Sequence, residues 1–171
     1  MKRLTYPTIF AVILIASLSL RMLVSVLLHP LRIGWDPALH LQCAQLIVPG
    51  GLRYVDLFDV NPPLAIYIQV LPVLLSRLFH MPIPLSFSIY VSLLEFLSCF
   101  IVLWILVAAR RTGAVVLGVC ALIGFAYFNQ IQRLDFGQRE HIFCITYAPF
   151  LLLRYLRWQG VKLGRWPCIA A

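Results

Sequence analysis

Apolar residues gather in five stretches along the chain, 7–28, 64–79, 85–109, 113–128 and 141–156, with short polar segments between them. A helix that crosses a bilayer needs about 20 apolar residues, with a range of about 17–25. The first and third stretches reach that length. The other three need tilt, local thinning or partial insertion. The run from Pro7 to Leu28 follows Met1-Lys2-Arg3, as a signal core would. It is too long for one, carries no small-x-small cleavage site and precedes further spans, so it reads as an uncleaved first helix. A last apolar run opens at Trp166 and stops at Ala171. That pattern predicts the N-terminal part of a longer protein.

The polar residues between the first two long stretches carry their own pattern. Asp36-Pro37 predicts a helix start, because Asp caps free N–H groups and Pro suits the first turn. Leu39, Cys43, Leu46 and Ile47 then recur at helical spacing, with His40, Gln42 and Gln45 off the stripe. This predicts a short amphipathic helix on a membrane surface, ended by Pro49-Gly50-Gly51. Residues 52–60 read as a loop holding Tyr54, Asp56 and Asp59, and Asn61-Pro62-Pro63 opens the next helix. The expected fold class is all-α: a polytopic transmembrane bundle with amphipathic juxtamembrane helices in a first external loop, 29–84. Residues 1–171 form one transmembrane region.

Composition agrees with this pattern. The chain of 171 residues is 62% hydrophobic and 12% charged, against roughly 25% charged residues in soluble domains. Its net charge of +8 suits residues flanking spans. No basic patch interleaved with aromatics points to nucleic acid. The five cysteines lack CxxC or His-paired spacing, which argues against zinc or a disulfide framework.

Charge also bears on orientation, through the Lys/Arg bias of short inner loops. If 64–79 lies at or dips into the outer face, Lys2, Arg3, Arg110, Arg111, Arg154, Arg157, Lys162 and Arg165 are inside. Arg32, Arg53, Arg77, Arg133 and Arg139 are then outside. If 64–79 crosses, the counts reverse, so the first arrangement is preferred. It puts the N-terminus in the cytoplasm and the chain in a cell membrane, the inner membrane of a bacterium. It also gathers Asp36, Asp56, Asp59, Asp135 and Glu140 on the outer face, leaving Glu95 within a span. Acids contribute little to orientation, so their convergence suggests a site.

The order of features is a first span, an Asp soon after it, an amphipathic helix, a Tyr-x-Asp loop and an x-Pro-Pro-Leu helix. A span, an Arg-Arg turn and an outer loop with Asp135 follow. Over roughly residues 7–156 this resembles the GT-C superfamily of membrane glycosyltransferases, with protein O-mannosyltransferases and lipid A aminoarabinose transferases as the nearest in pattern. The resemblance implies transfer of a sugar, with inversion, from a polyprenyl-phosphate donor to an acceptor outside the cytoplasm. It implies Asp36 as the catalytic carboxylate and Asp135 as a second acid near the centre. Asn61 stands where such enzymes carry Lys or His against the donor phosphate. That departure shifts phosphate binding towards Arg139, with Arg53 also available.

The residues support such chemistry on their own terms. A placed carboxylate can take the proton of an acceptor hydroxyl or amide. A leaving phosphate needs positive charge around it, and Arg binds phosphate bidentately. A divalent cation between Asp36 and Asp135 would suit hard-ion chemistry. Glu140, His141, Tyr54 and Glu95 are further candidates. Each also has a plain structural reading. Asp36 is a helix cap, Asp135 with Arg139 and Glu140 a solvated turn, His141 an interfacial residue, and Asp56 and Asp59 turn residues. Glu95 is the hardest to dismiss, because a carboxylate inside a span is costly and by default functional. It also opens an alternative: a non-enzymatic membrane protein, a transporter or assembly subunit, with a broken helix at 64–79.

Overall fold

The computed structural model describes residues 6–28, 33–50, 62–111, 113 and 136–164. Among them there are six helices and no strands. They are α1 (Tyr6–Leu28), α2 (Trp35–Ile47), α3 (Pro63–Tyr67), α4 (Val70–Phe79), α5 (Ile83–Ala108) and α6 (Arg139–Trp158).

α5 is the axis of the fold. Its 26 residues extend about 39 Å at 1.5 Å per residue, beyond the roughly 30 Å of a bilayer's hydrocarbon core. Among the described residues it is the one helix both long and apolar enough to cross a membrane. Its polar residues are placed the reverse of those in a water-exposed helix, turned inward beside buried Phe87, Val91, Leu103 and Ile105. Ser86, Ser88, Ser92, Glu95 and Ser98 are buried, while Leu93, Leu97 and Phe100 are more than half exposed. The serine hydroxyls are satisfied by backbone: Ser88 donates to the Pro84 carbonyl at 2.8 Å and Ser92 to that of Ser88 at 2.6 Å. Small residues on the inward face let neighbouring backbones approach closely, which is how helices pack where burial of apolar surface gives no driving force.

α1 follows the same rule. Thr8, Ala11 and Ile15 are buried along one stripe, while Phe10, Ile13 and Leu20 point out. The predicted span 7–28 is therefore a single helix of 23 residues that packs on α5.

The predicted helix 64–79 is broken into α3 and α4 at Ile68-Gln69. Pro72 explains the break. It has no N–H to give, and its ring crowds the carbonyl four residues back, that of Ile68. The backbone tightens there, with Gln69 N–H bonding the Ile66 carbonyl at 2.9 Å. His80, in the left-handed conformation, closes α4, and Pro82 starts α5. The hairpin is pinned by Ser86 Oγ donating to the Pro72 carbonyl at 2.6 Å.

α2 departs from its expected form in two ways. Its N-cap is Gly34, so Asp36 lies within the first turn and caps nothing. Pro37 allows this, since first-turn N–H groups need no partner inside the helix. The buried face is Pro37, His40, Leu41 and Ala44, and the predicted stripe is split: Leu39 and Leu46 are about half exposed, while Cys43 and Ile47 pack against the core. α2 packs on α3 and α4. Arg77 of α4 donates to the Gln45 carbonyl at 3.4 Å.

α5 and α6 run parallel. Phe87 meets Phe136, Glu95 meets His141, Ser98 bonds the Ile145 carbonyl at 2.6 Å, and Ile105 packs with Leu153 and Leu156. Residues 113 and 136 therefore lie at opposite ends of the pair. The span expected at 113–128 lies outside the described residues, apart from Gly113. The stretch 141–156 lies within α6, which includes Arg154 and ends just beyond Arg157.

Candidate functional site

Three elements meet at one end of the bundle: α2, the first half of α5, and the turn Phe136-Gly137-Gln138 that leads into α6. The turn is shaped by its glycine. Gly137 has φ +72, and a Cβ there would collide with the Phe87 ring. Only glycine meets both demands without strain. Phe136 is buried edge-on against Phe87, with ring centroids 6.2 Å apart. The turn is thereby clamped onto α5.

The clamp orients His141. Gly137 N–H donates to His141 Nδ1 at 3.0 Å. With Nδ1 an acceptor, the imidazole is neutral and its proton sits on Nε2. Nε2 lies 3.1 Å from Glu95 Oε1. The contact is at ion-pair distance but off the N–H axis, so among the described residues neither Glu95 oxygen has a well-formed hydrogen bond. Glu95 has no solvent exposure and lies at the middle of α5. Gln69, at the α3–α4 break, is also buried with its Oε1 unpartnered among the described residues.

Towards the exposed end, Arg139 and Glu140 pair side by side. The Arg139 guanidinium holds the Glu140 carboxyl below the usual carboxylate range, and His40 of α2 adds to the effect. His40 is buried and lies one helical turn after Asp36, on the same face. Asp36 itself is exposed. Thus α2 brings Asp36, through its neighbour His40, to the end of the bundle that carries Arg139, Glu140 and His141.

Asp36, Arg139, Glu140, His141 and Glu95 are among the described residues. Asp135, Asn61, Arg53 and Tyr54 lie outside them, so the proposed Asp36–Asp135 cation site has one ligand in view. Among the described residues no three His, Cys, Asp or Glu side chains converge as metal ligands. Sequence reasoning did not single out His40, although its spacing of four from Asp36 was the available signal. It also missed Gln69, whose burial follows from a break that Pro72 alone announces. Comparison with models of protein families, with curated proteins and with solved structures returns no match.

Proposed function

We propose that the chain is a multi-pass membrane protein acting as a glycosyltransferase of the GT-C kind, using a polyprenyl-phosphate sugar donor. The membrane part rests on inverted burial. In water, a helix that hides Glu95 and four serines while exposing leucines and phenylalanines would be turned inside out. In lipid that arrangement gives the four serines acceptors within the protein and leaves the apolar side chains in their own solvent.

The single observation that carries the transferase reading is that Leu41 and Ala44 of α2 share one buried cluster with Phe87 of α5 and Phe136 of the turn leading to Arg139 and Glu140. It favours the arrangement in which 64–79 does not cross, since a crossing there would put Asp36 and Glu140 on opposite faces. Asp36 then acts as the base for the acceptor, and Arg139 stabilises the departing phosphate. The partners are membrane lipid, the lipid-linked sugar and an acceptor whose kind is open. A divalent cation at Asp36 and Asp135 is an optional part of the reading. The test is sugar transfer in proteoliposomes with a panel of polyprenyl-phosphate donors. Asp36→Asn is expected to lower turnover by about 10²-fold or more, the range for a lost general base. Unchanged turnover removes Asp36 from the role.

The buried Glu95–His141 contact favours a second reading, a proton-linked carrier, because ionisable pairs inside spans mark proton paths. Proton-driven solute uptake that is lost in Glu95→Gln, with no sugar transfer from any donor, would select it.

A further inference from the structure

The opposite end of the α5–α6 pair holds a groove of about 250 Å³ lined by Leu106, Arg111, Leu152, Tyr155, Leu156 and Gln159. Its floor is three leucines. Its rim offers a guanidinium, a phenol and an amide. Arg111 is fixed there by its backbone: its N–H bonds the Leu106 carbonyl at 2.9 Å while Arg110 takes φ +56. Helix α6 closes nearby in the same manner but with Gly160, the residue usual at such a position.

Arg110, Arg111, Arg154, Arg157 and Lys162, all exposed, belong to this end of the pair, and of these Arg111 lines the groove. The described acids lie elsewhere, with Asp36 and Glu140 at the far end and Glu95 midway. Two helix C-termini meet at the groove, but together they amount to roughly one negative charge. The Lys/Arg bias of inner loops accounts for the side on which the basic residues lie, but not for Arg111 on the wall of an apolar groove beside Tyr155 and Gln159.

We propose that this groove binds an anionic phospholipid, its phosphate held by Arg111 with help from Tyr155 and Gln159, and an acyl chain lying on the leucines. Basic pockets between membrane helices bind anionic head groups by this combination of charge and apolar wall. The leucine floor selects a lipid over free phosphate. The inference rests on the membrane reading but not on sugar transfer.

The test uses the full chain, purified in neutral detergent, and counts retained lipid by native mass spectrometry. Phosphatidylglycerol and phosphatidylcholine with identical chains are compared. Phosphatidylglycerol is expected to be retained at least about fivefold better, and Arg111→Gln to weaken it about fivefold, the effect of one surface cation. Phosphatidylcholine should not respond. In the unmutated chain the preference should fall at high salt, a readout that needs no variant. Equal retention of the two lipids, a preference insensitive to salt, or full displacement by inorganic phosphate overturns the proposal. Vesicle flotation separates the two levels. A chain that floats with neither lipid contradicts the membrane reading and this site with it. One that floats with both but retains them equally contradicts the site alone.

Discussion

His141 Nε2 approaches Glu95 Oε1 to 3.1 Å, while the other ring nitrogen accepts the Gly137 N–H at 3.0 Å. One imidazole therefore links a carboxylate at the centre of α5 to the backbone of the turn that presents Arg139 and Glu140. The turn's position and the buried carboxylate are parts of one arrangement.

Removing one member of that pair should cost more than removing both. His141→Ala leaves Glu95 buried without its neighbour and is expected to destabilise by about 1–3 kcal/mol, the range for a buried polar group left unpaired. Glu95→Leu combined with His141→Leu should recover most of that loss. Thermal unfolding of single and double variants in detergent gives the comparison. If the double variant is the less stable, the two residues are not coupled in this way.

Gly137→Ala meets two obstacles, a left-handed backbone and the Phe87 ring. Together they should cost about 2–4 kcal/mol. Phe87→Leu in the same chain should return the steric part and leave the backbone part. No recovery would mean that the ring is not the obstacle.

Ser98 Oγ donates to the Ile145 carbonyl at 2.6 Å and ties α5 to α6. Hydrogen bonds between membrane helices are worth about 0.6 kcal/mol on average. Ser98→Ala should therefore cost under about 1 kcal/mol, read by the same unfolding measurement. A much larger loss would assign Ser98 another task.

Glu140 offers a pH signature. Arg139 lowers its carboxyl below the ordinary range. A depressed carboxyl contributes stability that is present above the unfolded pKa and is lost as pH falls through the folded one. Glu140 is well exposed, so the contribution is screened and small. The titration itself is the sharper readout. In Arg139→Gln the Glu140 carbon resonance should titrate at higher pH than in the unmutated chain. An unchanged midpoint would show that Arg139 is not the cause.

Much of the helix plan was legible in the sequence. The stretches 7–28, 85–109 and 141–156 are runs of apolar residues long enough to force helices, and α1, α5 and α6 occupy them. Which face each helix buries was harder to read. For α2, the stripe Leu39, Cys43, Leu46 and Ile47 predicts one side turned to a membrane surface; Leu39 and Leu46 are exposed, Cys43 and Ile47 pack against the core, and the helix buries Pro37, His40, Leu41 and Ala44. That reasoning assumes water on the polar side. His40 of α2 and the serines of α5 face protein instead. The break at Ile68-Gln69 follows from Pro72, which a count of apolar residues passes over. Glu95 stood out as costly, but its partner lies 46 positions away in sequence, and no periodicity links α5 to α6. Gly137 mattered for a collision that only the packed helices reveal.

The shared end of Asp36 and Glu140 is the claim on which the functional account depends, and side-specific labelling tests it most directly. In a cysteine-free background, Asp36→Cys, Glu140→Cys and Arg111→Cys are introduced singly in sealed membrane vesicles. A membrane-impermeant maleimide is then added from one side. The account predicts that Cys at 36 and at 140 label from the same side and Cys at 111 from the other. Labelling of positions 36 and 140 from opposite sides would contradict it.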